Sequence, residues 1–275
     1  MVQPAQWSTF MNPTNKIVII YDFDKTLTRK DMQEYGLLQD FGFEDPQLFW
    51  DEVKSFTRKH NVDPILGYMY ELMRVGQLKN RPMTKALLRE YGKAIEFVPG
   101  VDEWFQSIEA LSKELNITIE HVIISSGLTS MIEGSSIAKY FSHVYGCEYV
   151  YNEHGEAMWC AYANNYTMKT QFIARIHKEA HDLSDHVIVN EKLSQPAVPY
   201  SHMIYIGDGF SDVASMRMIY DHGGLSLGVY HHNQMELAQI LLKDGRVHGA
   251  YEADYHVGSA LYQKVAAYIS YITMP

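Results

Sequence analysis

Lys16 to Thr28 reads KIVIIYDFDKTLT, a run of apolar residues that stops abruptly at acidic ones. The β-branched residues Ile17–Ile20 predict a strand that is buried on both faces. Asp22 and Asp24 follow it, and side chains two residues apart on an extended chain point to the same side. Two converging carboxylates repel each other and need a cation or a proton between them. The stretch therefore predicts a magnesium-assisted site at the carboxyl edge of a sheet, or else an ordinary strand-to-loop boundary in which Asp, Lys and Thr are turn residues.

Composition places the chain among ordinary globular proteins. It has 275 residues, of which 47% are hydrophobic and 20% are charged, and this length suits one large α/β domain or a core with a smaller insert. The formal charge of −10 argues against nucleic acids and anionic membranes as partners. The start of the chain lacks the pattern of a signal peptide, and no apolar run approaches the roughly 20 residues of a membrane span. A cytoplasmic protein is expected.

The two cysteines, Cys147 and Cys160, lie on either side of a hairpin turn predicted near His154 and Gly155. This spacing allows a cross-strand disulfide without requiring one. Since disulfides are rare in reducing compartments, free thiols are expected.

The region that follows the acidic pair is predicted to be a helical insert. Apolar residues recur at helical spacing through residues 29–97, which we expect to form a cap domain on a core made of residues 1–28 and 98–275. Such a domain could serve as a lid. Three prolines each mark an expected helix start: Pro46, Pro64 and Pro82. Asp45 and Asp63 are suitable N-caps for the first two helices.

Two further strands also end in polar residues. Ile119–Ile124 leads into Ser125, Ser126 and Gly127, which could bind an oxyanion or could instead form a helix N-cap. Met203–Ile206 leads into the sequence GDGFSD, where Gly207 and Gly209 flank Asp208. Asp212, the last residue of that sequence, could simply cap the next helix.

The remaining pattern supplies helices, a hairpin and one more strand. Helices are expected at Val101–Leu115, from Lys169 through Ile176, and at Val213–Tyr220, Gln234–Leu242 and Gly258–Ile272; a β-hairpin at Val144–Ala163; and a strand at Leu225–Val229.

Several histidines and one lysine lie in these elements. Lys169 opens its helix, where a cation is slightly unfavourable unless an anion binds there. His177 and His181 are spaced to chelate a metal on that helix, although no third ligand is evident. His231 and His232 are assigned to a loop with no special role.

Taken together, the polar groups occupy the carboxyl ends of three strands and one helix start, and in a parallel sheet those ends share the edge where ligands bind. Their order and form resemble the haloacid dehalogenase (HAD) superfamily of aspartate-based phosphatases. DFDKTLT is similar to its DxDxT motif, IISSG to its strand-end serine, Lys169 to its lysine and GDGFSD to its acidic GDxxxD motif. The insert resembles the helical C1-type cap of the phosphoserine phosphatase-like branch. The resemblance implies an α/β fold with a Rossmann-like doubly wound parallel sheet, an inserted helical cap and a small β-hairpin.

The resemblance also implies residue roles. Asp22 would be the nucleophile that forms an aspartyl-phosphate, and Asp24 would be the general acid and base. Dehalogenases of the superfamily lack the second aspartate, so Asp24 indicates a phosphatase. Mg²⁺ would be held by the Asp22 carboxylate, the Asp24 backbone carbonyl and Asp208, with Asp212 supporting the metal waters or Lys169. Ser125 and the amides near Ser126 and Gly127 would bind the phosphoryl oxygens, and Lys169 would offset the negative charge of the site.

The expected activity is Mg²⁺-dependent hydrolysis of a small phosphorylated metabolite. Asp31 lies where phosphoserine phosphatases carry an amino-group ligand, so an amino-bearing substrate is a hypothesis, and a helix cap is the alternative role for this residue. Four arginines are candidates for a carboxylate clamp: Arg58, Arg74, Arg81 and Arg89.

Three other activities remain open at this stage. The first is a phosphotransferase or mutase that uses the same intermediate. The second is a phosphonate-cleaving enzyme in which Lys54 or Lys59 would form a Schiff base with the substrate. The third is a non-catalytic phosphate-binding protein. The oligomeric state is not predicted.

Overall fold

The computed structural model describes residues 15–231 and 235–274, and a seven-stranded sheet forms the centre of this part of the chain. The strand order is β4-β3-β2-β1-β5-β6-β7. All neighbouring strands are parallel except β3 and β4, which form an antiparallel pair. The strands are β1 (Lys16–Tyr21), β2 (Thr118–Leu128), β3 (Phe141–Tyr151), β4 (Ala157–Tyr162), β5 (Met203–Gly207), β6 (Leu225–Tyr230) and β7 (Gly249–Glu252).

Helices cover both faces of this sheet. Their bounds are α1 (Leu37–Asp40), α2 (Pro46–His60), α3 (Pro64–Leu78), α4 (Lys85–Gly92), α5 (Val101–Glu114), α6 (Thr129–Gly134), α7 (Met168–Lys178), α8 (Val187–Asn190), α9 (Val213–Asp221), α10 (Met235–Lys243) and α11 (Ala260–Ile272). Helices α1 to α4 lie between β1 and β2 in the chain.

Strand β1 contributes to two hydrophobic cores because its side chains alternate between the faces of the sheet. Ile17, Ile19 and Tyr21 pack in a cluster that includes residues of α5 and α11. Val18 and Ile20 pack in a second cluster with residues of α7, α9 and α10. The doubly wound α/β fold expected from the sequence is confirmed.

The helix starts in the segment between β1 and β2 follow local capping. Asp45 accepts a hydrogen bond from the Gln47 N–H at the start of α2, and Asp63 caps α3 in the same way, as predicted. The prediction for Pro82 is wrong. Helix α4 instead begins at Lys85, because the Thr84 hydroxyl accepts the N–H of Leu87.

The strand ends also differ from the prediction in two places. Strand β2 runs through Ser125–Gly127 to Leu128, and α6 begins only at Thr129, so the alternative of Ser125 as a helix N-cap is wrong. The predicted hairpin also belongs to the main sheet, because its first strand, β3, pairs in parallel with β2. Strand β7 was not predicted from the sequence.

The later predictions hold with small shifts. Helix α11 begins at Ala260, because Ser259 caps it by accepting the Tyr262 N–H. Gln234 and His232, which the sequence assigned to a helix and a loop, lie outside the described residues. Cys147 and Cys160 are free thiols, as expected. No described helix is long and apolar enough to cross a membrane.

Candidate active site

Asp22 lies where β1 gives way to a loop at the carboxyl edge of the sheet. Its backbone N–H donates to the carbonyl of Ile206 on β5 at 2.9 Å, which fixes the chain beside the neighbouring strand. The side chain is only 5% exposed. Oδ1 accepts the N–H of Phe23 at 2.8 Å, and Oδ2 faces Lys169 Nζ at 3.1 Å. The carboxylate is therefore buried and held by a partner on each oxygen.

Lys169 links two buried carboxylates. It is fully buried near the start of α7, and its Nζ lies 2.8 Å from Asp212 Oδ1 as well as close to Asp22. Tyr205 on β5 donates its hydroxyl to the same Asp212 oxygen at 2.7 Å, and the N–H of Gly209 donates to the other Asp212 oxygen at 3.3 Å. Both Asp212 oxygens are therefore hydrogen-bonded, one to Lys169 and Tyr205 and the other to the backbone of the surrounding loop. The alternative of Asp212 as the side-chain cap of α9 is wrong, since it makes no capping hydrogen bond there.

Asp208 completes an acidic cluster with Asp22 and Asp212. One carboxylate oxygen from each of the three lies within 4.8 Å of the others. The hydroxyl of Thr26 makes a long hydrogen bond of 3.4 Å to Asp208 Oδ1. Hard oxygen ligands in this arrangement suit Mg²⁺. Asp212 accepts more hydrogen bonds than the other two, so Asp22 and Asp208 are the better candidates for cation ligands.

Asp24 lies beside this cluster, in the loop that leads from β1 into residues 29–97, which we call the helical segment. Its Oδ1 accepts the backbone N–H of Met32 at 2.8 Å. The other oxygen, Oδ2, lies so close to Gly127 that a Cβ added there would be 2.8 Å away. Asp24 therefore lies between the β1 loop, the first residues of the helical segment and the end of β2.

The electrostatics favour protons or a cation at this site. Burial and the neighbouring Asp212 carboxylate raise the pKa of Asp22 despite the opposing effect of Lys169. Burial, followed by the charges of Asp31 and Asp22, holds the pKa of Asp24 well above its ordinary value, and burial with the Asp22 charge does the same for Asp208. Burial alone would lower the pKa of Lys169, but the Asp212 and Asp22 carboxylates outweigh it and raise that pKa.

The end of β2, Ser125–Gly127, borders the acidic cluster, and we call it the β2 tail. Ser125 is fully buried, and its Oγ accepts the N–H of Gly127 at 3.0 Å. Ser126 donates its hydroxyl to the carbonyl of Asn164 at 2.7 Å. The Asn164 amide in turn donates to the Ser125 carbonyl at 3.1 Å. The β2 tail is thus held firmly next to Asp22 and Asp24.

A cleft of about 640 Å³ opens from these residues toward the helical segment. Asp22, Asp24, Ser125, Ser126 and Asp208 line its sheet side. The helical segment supplies the opposite wall, which includes Asp31, Gln33, Glu34, Gln47, Trp50, Val53, Lys54, Thr57, Pro64, Ile65 and Tyr68. The structure therefore brings these five predicted residues of the sheet edge together in one cleft, whereas Gly127, Lys169 and Asp212 are not among the residues that line it.

Sequence reasoning missed an acidic and aromatic group on the helical wall. The Trp50 indole N–H donates to Glu34 Oε1 at 3.0 Å, and the Trp50 and Tyr68 rings meet edge to face with centroids 6.1 Å apart. The only available signal was an acid and two aromatic residues spread over 35 positions, which indicates nothing until the helices are packed.

Asp31 is engaged in a way that neither sequence-based hypothesis anticipated. Its Oδ2 lies 2.6 Å from Lys25 Nζ, and it makes no side-chain capping hydrogen bond, so its assignment as a helix cap is wrong. A residue paired with Lys25 is less available to an amino group of a ligand.

The arginines considered for a clamp do not reach the cleft. Arg74 pairs with Glu71 and Glu52, Arg81 pairs with Asp40, and Arg89 pairs with Glu133. None of the four arginines, Arg58 included, is among the described residues that line the cleft. Lys54 does line it, whereas Lys59 does not.

The histidine pair also separates. Helix α7 ends at Lys178, so His181 lies beyond it, and the metal-chelating spacing on one helix is lost. His177 Nδ1 faces the carbonyl of Val198, and His181 Nδ1 faces the Tyr145 hydroxyl. His231, assigned no role, lies 2.9 Å from the Lys25 carbonyl through its Nε2.

The chain matches known proteins along most of its length. A family model described as "Putative Phosphatase" matches residues 17–223. An uncharacterized protein of Borreliella burgdorferi is 30% identical over 279 residues, which cover 90% of this chain and 94% of that protein.

Solved structures share the fold at low sequence identity. A HAD family hydrolase of Salmonella enterica serovar Typhi superposes with a TM-score of 0.54 at 14% identity, over 86% of this chain and 67% of the other. A substrate-bound phosphoserine phosphatase gives a TM-score of 0.53 at 14% identity, over 86% and 92%. A phosphoserine phosphohydrolase-like protein of Francisella tularensis gives 0.51 at 16% identity, over 85% and 94%.

The chain belongs to the phosphatase family that the matching model describes. Its fold is shared with solved HAD hydrolases and phosphoserine phosphatases, as the motifs predicted.

Proposed function

We propose that this enzyme is a Mg²⁺-dependent phosphomonoesterase that hydrolyses a small phosphorylated metabolite through an aspartyl-phosphate on Asp22. One observation carries the proposal. The buried Asp22 carboxylate faces Lys169 at the floor of an open cleft, and one of its oxygens lies within 4.8 Å of a carboxylate oxygen of Asp208 and of Asp212. A carboxylate that is fixed at the floor of such a cleft is oriented to attack a phosphorus atom in line.

The acidic cluster fits a magnesium ion. The Asp22 and Asp208 carboxylates and the Asp24 backbone carbonyl would hold it, while Asp212 would support Lys169 and the metal waters. When bound, Mg²⁺ would neutralise the carboxylate repulsion and polarise the phosphoryl group.

Asp22 and Asp24 then divide the chemistry. The Asp22 carboxylate oxygen forms a bond to phosphorus as the bond to the leaving oxygen breaks, and Asp24 donates its proton to that leaving alcohol. Asp24 next removes a proton from a water molecule, which attacks the phosphorus of the aspartyl-phosphate. Phosphate leaves, and the Asp22 carboxylate is regenerated. The raised pKa of Asp24 supports its role as the acid in the first step.

The β2 tail and Lys169 would bind the phosphoryl oxygens. Ser125 and Ser126 line the cleft, the Gly127 N–H lies beside the Ser125 hydroxyl, and Lys169 adds a buried positive charge. These groups would stabilise the negative charge on the phosphoryl oxygens as the reaction proceeds.

Residues 29–97 would act as a cap that selects the leaving group. In the described part of the chain, the Glu34 carboxylate meets the Trp50 indole N–H and forms no ion pair with a lysine or an arginine. A carboxylate that has no cationic partner and lies beside two aromatic rings is suited to an ammonium group. An amino-bearing leaving group is therefore the substrate class that this wall supports, with Glu34 in the role that the sequence had suggested for Asp31.

Turnover of p-nitrophenyl phosphate in the presence of Mg²⁺ tests the reaction. We expect phosphate release by the wild-type enzyme and almost none by Asp22→Asn. Release to water, rather than transfer to an added alcohol, separates hydrolysis from phosphotransfer. Full activity in Asp22→Asn would rule out the proposed nucleophile.

A matched pair of esters tests the leaving group. We expect 2-aminoethyl phosphate to exceed 2-hydroxyethyl phosphate in kcat/KM, and Glu34→Gln to reduce that preference by about tenfold, since hydrogen bonds to charged groups contribute about 1.5–3 kcal/mol. Glu52→Gln is the control, because Glu52 pairs with Arg74 outside the cleft. Equal preference in wild type and Glu34→Gln would contradict the assignment.

A further inference from the structure

A tyrosine of the helical segment reaches into the β2 tail. Tyr68 lies on α3, is 4% exposed and donates its hydroxyl to the carbonyl of Ser126 at 2.7 Å. The thiol of Cys147 on β3 donates to the same carbonyl at 3.2 Å. One carbonyl of the β2 tail is thus fixed from the core and from the helical segment at once.

That carbonyl belongs to the same peptide unit as the N–H of Gly127. A trans peptide is planar, so the direction of its C=O determines the direction of its N–H. The Gly127 N–H points to Oγ of Ser125, a residue that lines the cleft, at 3.0 Å. A hydrogen bond to the Ser126 carbonyl therefore aims the Gly127 N–H.

Close packing makes this aim sensitive to small shifts. A Cβ added to Gly127 would lie 2.0 Å from Met32 Cε and 2.8 Å from Asp24 Oδ2. The peptide unit consequently touches both the general-acid candidate and the first residues of the helical segment. A rotation of the unit would move a donor relative to the Asp22 and Asp24 carboxylates.

The other side-chain hydrogen bonds of the β2 tail come from the core. Asn164 accepts the Ser126 hydroxyl through its carbonyl and donates its side-chain amide to the Ser125 carbonyl. Tyr68 adds a contact from α3, and it also lines the cleft beside Trp50. Its position therefore depends on how the helical segment is docked.

We propose that Tyr68 is a positioning residue that couples docking of the helical segment to the aim of the Gly127 N–H in the phosphate-binding site. The inference rests on the proposed function. Tyr68 acts through the Ser126 carbonyl and does not touch the reacting atoms. Correct docking of α3 completes the phosphate site, and displacement of α3 loosens it.

Tyr68→Phe tests this coupling because it removes the hydroxyl and keeps the buried ring. Tyr149→Phe is a matched control: Tyr149 is 2% exposed, and its hydroxyl also joins the sheet to α3, but it donates to the carbonyl of Met69 at 2.9 Å and not to the β2 tail. Cys147→Ala, which removes the second donor to the Ser126 carbonyl, is a further variant in case Tyr68→Phe does not fold.

Two measurements are made on each protein in Mg²⁺ buffer: the affinity for inorganic phosphate, and kcat and KM for p-nitrophenyl phosphate. A misplacement of about 1 Å costs up to about 10²-fold in rate. We expect Tyr68→Phe to lose about tenfold in kcat and severalfold in phosphate affinity, Cys147→Ala to show a smaller loss of the same kind, and Tyr149→Phe to stay within about twofold of wild type.

The outcomes separate the inference from the function on which it rests. Equal losses in Tyr68→Phe and Tyr149→Phe, or a fall in melting temperature with phosphate affinity unchanged, would overturn the coupling. A wild-type protein that binds phosphate without hydrolysing the ester would refute the phosphatase, and the phosphate affinities alone would then decide the role of Tyr68. Wild-type protein that neither binds nor hydrolyses would overturn both.

Discussion

Replacing Lys169 with methionine would remove the buried cation that holds the two carboxylates of the site together. Lys169 Nζ lies 3.1 Å from Asp22 Oδ2 and 2.8 Å from Asp212 Oδ1, and all three side chains are nearly or fully inaccessible to water. Methionine has a similar length and no charge, so the variant would leave two like charges facing each other in a site of low polarity.

The expected cost follows from this burial. Removing one partner of a buried ion pair destabilises a protein by about 3–5 kcal/mol. For a chain of this size, roughly 2 °C of melting temperature corresponds to 1 kcal/mol, so we expect a decrease of about 6–10 °C. The control is Lys93→Met, which breaks an exposed pair with Glu90 and should cost no more than about 1 kcal/mol.

The pH dependence of the difference provides the sharper test. The pKa of folded Asp22 is already raised by burial and by Asp212, and loss of Lys169 raises it further. A carboxyl group whose folded pKa exceeds its unfolded pKa disfavours folding, and this cost develops as pH rises above about 4, the ordinary value for aspartate. Up to about pH 7, Asp22 stays protonated in both folded proteins and the cost is the same in each, so the gap in the free energy of unfolding between wild type and Lys169→Met should be smallest at pH 4–6 and widen from about pH 7 to pH 9, where Asp22 ionises in the wild type.

Melting curves over this pH range, measured without Mg²⁺ and then with it, would check the reasoning. Added Mg²⁺ should stabilise Lys169→Met more than wild type, because a cation would relieve the unpaired carboxylates, while phosphatase activity should stay lost. A gap that is independent of pH, or no larger than that of Lys93→Met, would refute the electrostatic role given to Lys169.

Three further outcomes test other parts of the structure. Asp24→Asn should reduce hydrolysis of alkyl phosphates by about 10²–10⁴-fold and slow p-nitrophenyl phosphate less, because the nitrophenolate leaves without a proton; equal losses on both esters would contradict the general-acid role. Burial lowers the pKa of His121 to about 4, so the folded state resists its protonation and stability should fall by about 3 kcal/mol as pH drops from about 6.5 to 4; His121→Gln should flatten that part of the stability curve. Gly127→Ala should lower both melting temperature and kcat, since the added methyl would meet Met32 Cε at 2.0 Å, and an unchanged kcat would show that the peptide can shift freely.

The sequence predicted the sheet edge because each part of it is encoded locally. The apolar run Ile17–Ile20 and the acids Asp22 and Asp24 are neighbours in the chain, and the same holds for the strand before Asp208. Parallel pairing brings such strand ends together without further information. The starts of α2 and α3 were predictable for a similar reason, because Asp45 and Asp63 cap their helices through hydrogen bonds two residues away.

The helical wall of the cleft could not be predicted in this way. Asp31 is paired with Lys25, whose backbone adopts a left-handed conformation with φ 57°, and no local sequence pattern predicts this turn or this pair. Glu34, Trp50 and Tyr68 meet only after α2 and α3 pack. Arg81 and Arg89 form ion pairs with acids that are distant in sequence, Asp40 and Glu133. The positions of the basic residues in the sequence therefore could not show which of them reach the cleft.

Short or irregular strand structure explains the other differences. Strand β7 has four residues, Gly249–Glu252, with little apolar alternation to mark it. The β2 tail continues as a strand past two serines and a glycine because its pairing with β3 resumes at Leu128, after a register shift. Those contacts depend on tertiary structure and override the local preference of serine for a helix cap.

Trapping the phosphorylated enzyme tests the central proposal most directly. Wild-type protein would be mixed with p-nitrophenyl phosphate and Mg²⁺, quenched in acid during turnover, digested and analysed by mass spectrometry. The account predicts one added phosphoryl group on the peptide that contains Asp22, and its absence from Asp22→Asn. Rapid turnover with no phosphorylated peptide at any sampled time, or a phosphoryl group on a different residue, would contradict it.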